Sequence, residues 1–113
     1  MFNSLNTVTQ DVATLDPNYV TRGIIKWIKK GNVCTVIFED VFFQNVNGYS
    51  ATPFASNLPL PISLFELPIL QYNISGIGWV QVDNVNGVGI LRPDGYLASG
   101  IATWGSFTYV CQS

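Results

Sequence analysis

The chain contains no histidine. That absence removes the side chain most used as a general base near neutral pH and the commonest nitrogen ligand of transition metals, and with it every Cys-His or Ser-His-Asp arrangement. Charge is also scarce: Asp, Glu, Lys and Arg make up 11% of the 113 residues, against roughly 25% in an ordinary soluble domain. Such a surface is either polar and uncharged or partly covered. Cysteine occurs twice, at Cys34 and Cys111, with no Cys-x-x-Cys, too few for a disulfide scaffold or a zinc site. Each lies in an apolar, strand-like run and reads as a small buried hydrophobe, the alternative being a bridge between the two. No apolar run approaches the roughly 18 residues of a membrane span, and the first residues lack the basic-then-apolar order of a signal peptide. The chain therefore reads as soluble, with no membrane insertion. Four of the five basic residues, Arg22, Lys26, Lys29 and Lys30, lie together, and from Gly31 onward only Arg92 stands against five acids. With a net charge of −2, a phosphate-tracking groove is not expected, and neither is a nucleic-acid partner.

A chain of this length holds one hydrophobic core. Along it, Met1, Leu5, Val8, Val12 and Leu15 recur at spacings of four, three, four and three. This is the a/d pattern of a coiled coil and predicts a short N-terminal helix over residues 1–18, a stalk end whose two heptads need partner chains or further upstream heptads to be stable. The other reading is a disordered leader rich in Asn and Thr. Asp16-Pro17-Asn18 stops any helix. From residue 19 the texture becomes β-branched, aromatic and alternating, and residues 19–113 are expected to form an antiparallel β-sandwich or jelly roll. Gly31-Asn32 is expected as a two-residue hairpin turn, with Arg22, Lys26 and Lys30 on one solvated face of the preceding strand. The proline-rich stretch from Ser50 to Pro68 reads as an extended, irregular connection leading into strands of short, regular spacing. No helical pattern of ten residues follows Leu15.

Asn-Val-Asn-Gly occurs twice, at residues 45–48 and 84–87. The flanks differ, so an internal repeat is not supported. As a calcium loop, Asp83-Asn84-Val85-Asn86-Gly87 places valine where an oxygen ligand is required. Both copies read as Asn-Gly hairpin turns. Glu39 and Asp40, the one adjacent acid pair, would point to opposite faces of a strand, which is unsuited to paired-carboxylate catalysis. No enzyme activity, metal or cofactor is expected. Asn73-Ile74-Ser75 matches a glycosylation sequon, which matters only in a eukaryotic secretory pathway.

What remains is a set of aromatics and polar side chains suited to sugars, whose C–H faces pack on aromatic rings while amides and charges fix the hydroxyls. Trp104, in a loop-like "IATWGSF", is the leading candidate, equally open to a packed role. Trp79 reads as core or subunit contact before ligand contact, and Trp27 as core. Tyr49 and Tyr96 each flank a turn. Asp94 reads as a turn-former. Asp83 and Arg92 are placed either to pair across a hairpin or to hold a ligand, with Asn84 and Asn86 on the turn between them. The candidate saccharide site is thus Trp104, Tyr96, Asp83, Arg92, Asn84, Asn86 and Trp79.

The order of motifs "KKGNVCTVIF", "SNLPLP", "GWVQVDNVNGVGILRPDGYLASG" and "GSFTYVCQS" resembles the distal head domain of tailed-bacteriophage receptor-binding proteins, the tail-fibre and baseplate tips. The resemblance rests on Lys30-Gly31-Asn32-Val33, Leu58-Pro59 and Asp94-Gly95-Tyr96-Leu97 and extends over residues 20–113. It implies a non-catalytic homotrimeric head on a three-stranded helical stalk built through Leu5, Val8, Val12 and Leu15. It also implies a location in the virion after assembly in the host cytoplasm, other baseplate and tail proteins as neighbours, and host cell-surface saccharide as ligand. Two other classes compete: a structural virion protein whose loops meet other virion proteins, and a carbohydrate-binding module of a bacterial enzyme.

Overall fold

The computed structural model describes residues 8–44, 52–71, 77–94, 97 and 99–112. Met1 and Leu5, the first Asn-Val-Asn-Gly copy, Tyr49, the sequon, Gly95 and Tyr96 lie outside the described residues. Among the described residues there are nine strands: β1 (Val8–Val12), β2 (Thr14–Leu15), β3 (Val20–Lys30), β4 (Val33–Phe43), β5 (Ala55–Leu58), β6 (Phe65–Gln71), β7 (Ile77–Val85), β8 (Val88–Pro93) and β9 (Thr103–Val110). All the pairings between them are antiparallel, in the order β1-β3-β4-β9-β6-β7-β8-β5-β2. The fold is therefore all-β, with no helix among the described residues, and its two sheets enclose one core in the manner of a sandwich. One sheet is β1-β3-β4-β9 and the other β6-β7-β8-β5-β2. They join at one corner through the short β6–β9 ladder, Leu70 opposite Trp104 and Gln71 opposite Thr103.

The helix expected for the N-terminal segment is corrected over residues 8–15. Val8 and Val12 lie in β1, opposite Lys30 and Lys26 of β3, and Leu15 lies in β2, opposite Ala55 of β5. Two heptads offer an isolated helix too little apolar contact, whereas the edges of β3 and β5 offer this segment a partner for its backbone. Its β-branched residues Val8, Thr9, Val12 and Thr14 suit the pleated conformation. Between the two strands stands only Ala13, buried, its N–H donating to the Ile25 carbonyl at 2.8 Å. One continuous segment thus closes the side of the sandwich opposite the β6–β9 corner. Trp27 reinforces the closure: its ring is buried, as its sequence position predicts, and Nε1 donates to the Asn57 carbonyl at 2.8 Å.

Alternation decides what enters the core. On β4, Cys34, Val36 and Phe38 point inward, as do Val41 and Phe43 after a change of phase at Glu39 and Asp40. Asp40 adopts φ 53° and lies across from Gly23 of β3 at φ 100°. This irregularity lets both long strands bend while their apolar side chains keep facing inward. A Cβ at Gly23 would stand 2.3 Å from the Asp40 carbonyl oxygen. On the outside of the same bend, Arg22 pairs with Asp40 at 2.6 Å and Lys26 with Glu39 at 3.1 Å. Inside, Phe54 from the turn before β5 meets Phe38 and Phe43 edge-on, at ring-centroid distances of 6.5 and 5.0 Å, and so ties the two sheets together.

Cys34 and Cys111 are both buried and free, as small apolar residues. Burial pushes the Cys34 thiol up to about 11, against the opposing hydrogen bond with Tyr109. Burial raises Tyr109 as well, and its hydroxyl donates to the Pro59 carbonyl at 2.6 Å. The proline-rich connection is less irregular than its composition suggests. It contains β5, the Pro61–Cys111 bridge and the bonds from Ile62 N–H to the Val110 carbonyl and from Gln112 N–H to the Leu60 carbonyl. Pro68 lies within β6 where only β7 is paired with it, the edge-like setting in which a strand tolerates proline.

Both described turns expected from Asn and Gly are present: β3–β4 closes at Gly31-Asn32, and β7–β8 closes at Asn86-Gly87 with φ 53° and 80°. These turns, Val8 and the Pro59–Pro61 segment all lie at one end of the sandwich, here called the hairpin end. Leu15, Phe43, Pro93 and Thr103 lie at the far end.

Gly23→Ala and Gly87→Ala both place a side chain at positive φ, but nothing lies within 4 Å of the Gly87 position. Gly87→Ala should cost roughly 1–2 kcal/mol for the left-handed conformation alone. Gly23→Ala should cost about 2 kcal/mol more, because the bend must open. Urea denaturation of the two variants measures the difference.

Candidate functional site

Of the described candidate residues, Trp79, Asp83 and Arg92 fall on the outer face of β6-β7-β8. Val80 and Val82 point into the core, so the intervening positions Trp79, Gln81 and Asp83 point out. Register places Arg92 of β8 and Glu66 of β6 on either side of Gln81, and Pro68 beside Trp79. The polar members form a chain. Arg92 is ion-paired with Asp83 through Nη2, and its Nε donates to Gln81 Oε1 at 2.9 Å. Gln81 Nε2 in turn donates to Asp94 Oδ1 at 3.2 Å. Asp94 is positioned by its own N–H, which donates to the Trp79 carbonyl at 2.9 Å. A hydrogen bond and charge repulsion from Asp94 raise the Glu66 carboxyl above its ordinary value. Three acids and one base share the face, leaving it two charges negative.

Trp79 is 44% exposed and Trp104 is 39% exposed. Trp79 is thus not core; of the roles expected from its position in a strand, subunit contact and ligand contact remain. Trp104 lies in β9, not in a loop, and its exposure removes the packed alternative. Because Trp104 is opposite Leu70 and Trp79 is opposite Pro68, the two indoles rise from strands flanking β6 on the same side of the sheet. With two strand spacings and a two-residue offset between them, their Cα atoms are about 12 Å apart over the sheet surface.

Asn84 and Asn86 have other work. The Asn84 side-chain oxygen accepts from Gly87 N–H at 2.9 Å, while its own N–H donates to Asp83 Oδ1 at 2.7 Å. Asn86 supplies the positive φ of the turn. Both stand at the hairpin end, away from the two tryptophans. Of the residues singled out in sequence, the structure therefore gathers Trp79, Asp83 and Arg92, sets Trp104 across β6 from them, and leaves Asn84 and Asn86 to the turn. Glu66 and Gln81 were missed, and Asp94 belongs to the chain of polar contacts as well as to its turn. The signal for Gln81 was the alternation in "GWVQVD", which puts Trp79, Gln81 and Asp83 on one face once Val80 and Val82 are assigned to the core.

Two hollows of about 340 and 290 Å³ lie elsewhere, one beside Leu15, Pro53 and Ile90, the other beside Val12, Trp27 and Ile37. Neither includes any of these residues. Among the described residues no three carboxylates or thiols gather as a metal site. No family model matches the chain, and no curated protein matches it in sequence.

The raised Glu66 proton affinity has a pH signature. The folded chain holds this proton more tightly than the unfolded one, so the resulting stabilisation is complete below the ordinary carboxylate range and is lost as pH rises through the raised value. Glu66→Gln should melt with the parent at about pH 3 and above it near pH 7. Thermal unfolding followed by circular dichroism at the two pH values checks this.

Proposed function

We propose that the chain is the non-catalytic head of a bacteriophage receptor-binding protein, a homotrimeric adhesion module of jelly-roll type that binds host cell-surface saccharide from within the virion. The observation that carries the reading is the pair of solvent-exposed tryptophans on one sheet face, next to a hydrogen-bonded row of Gln81, Arg92, Asp83 and Asp94. Aromatic faces accept sugar C–H groups, and fixed amide, guanidinium and carboxylate groups orient hydroxyls. The resemblance of residues 20–113 to tail-fibre and baseplate tips supports the same reading.

The outer face of the other sheet supports the trimer. Val8, Lys30, Val33 and Val110 form one row across it, and Val12, Lys26, Ile37 and Ser106 another, with a Thr35–Thr108 hydroxyl contact between them. Val8, Val12, Val33 and Val110 are all exposed, apolar surface that neighbouring subunits or baseplate proteins would cover. If a stalk precedes Val8, the hairpin end faces it, and the loops at the far end are directed toward the host.

Light scattering should give three times the chain mass, and the isolated protein should compete with phage for adsorption to host cells. A trimer that neither binds glycans nor competes would favour the structural virion role. A monomer that binds glycans would favour a carbohydrate-binding module.

A further inference from the structure

The two tryptophans stand too far apart to share one pyranose ring, and Pro68 fills the strand between them with an exposed, apolar surface carrying no competing charge. Alongside them, Glu66, Asp83 and Asp94 outweigh Arg92, whose guanidinium is already engaged by Asp83 and Gln81. A phosphate or uronate arriving at this face would meet net negative charge and no free cation of the site. From this geometry we infer that the face binds a run of at least two consecutive sugar residues of a neutral or amine-bearing glycan, one ring on Trp79 and another on Trp104. The inference rests on the saccharide reading above and narrows it: the ligand is an internal stretch of polymer, not a terminal monosaccharide and not a phosphodiester-linked chain.

The mechanism is additive contact along one ligand. A single sugar engages one indole, and its neighbours in the chain reach the other with little further loss of freedom. Gln81 and Asp94, which sit beside Trp79, select the hydroxyl or amino pattern of the ring stacked there. Trp104 lies outside the hydrogen-bonded row of Gln81, Arg92, Asp83 and Asp94, so its contribution is to length and not to identity.

A glycan array carrying neutral, amine-bearing and acidic oligosaccharides of one to four residues tests this with the full chain and its Trp79→Ala and Trp104→Ala variants. Both positions are exposed, and unchanged melting temperatures verify that the variants fold. The expected result is binding that strengthens from one residue to the longer neutral or amine-bearing glycans. Either substitution should lower affinity for those longer glycans by about tenfold, and Trp104→Ala should abolish the dependence on length. The inference is overturned if a monosaccharide binds as tightly as its oligomers, if either tryptophan is dispensable for the longer glycans, or if acidic glycans bind best. In each of these cases the saccharide reading itself survives. Binding to no glycan of any length or charge overturns that reading and the inference together.

Discussion

The sandwich depends on a single crossing. Residues 8–15 lend their backbone first to β3 and then to β5, and Ala13 is the hinge between the two ladders. Without that segment each sheet would present an open strand, with unpaired N–H and C=O groups along β3 on one side and β5 on the other. Closure also explains how so few charges suffice. A closed arrangement has less edge to defend than an open sheet. The buried Trp27 indole, bonded to the Asn57 carbonyl, holds the same corner from inside.

The closure leaves two outer faces of different composition. The face of β1-β3-β4-β9 is dominated by β-branched residues in register. The face of β6-β7-β8 carries Trp79 and a polar row whose members satisfy one another, with Trp104 on the adjoining β9. That row is rigid for a reason visible in its order: Asp83 holds Arg92, Arg92 holds Gln81, Gln81 holds Asp94, and Asp94 is pinned by its backbone to Trp79. Polar groups preorganised in this way would cost a ligand little ordering entropy.

Much of this was legible in the residues, and the exceptions have physical causes. Gly31-Asn32 and Asn86-Gly87 announce two-residue turns because few dipeptides tolerate positive φ there. Trp27 was readable as core from its phase with Ile25. Val8, Val12 and Leu15 misled because a four-three spacing suits a heptad, while the two even-numbered valines equally occupy one face of a strand. Only the presence of the β3 edge decides between them, and that is a tertiary fact. The bend at Gly23 and Asp40 left no turn signal, since the strand merely changes phase. Trp79 shared the outward phase of Gln81 and Asp83, but alternation names a face without saying which sheet covers it. Tyr96, the remaining aromatic of the candidate site, lies outside the described residues.

The hairpin end has a topological consequence. Val8 is opposite Lys30, and the Cys111 N–H donates to the Asn32 carbonyl at 2.8 Å, so the first described strand begins and the last ends at the same end of one sheet, with β3 and β4 between them. A short peptide joining them would make the backbone circular without breaking a ladder, and the circle could be reopened at Asn86-Gly87, an exposed turn at the same end. The same adjacency makes the domain a natural insert, able to be spliced into a surface loop of another protein through both ends at once while its far end stays free.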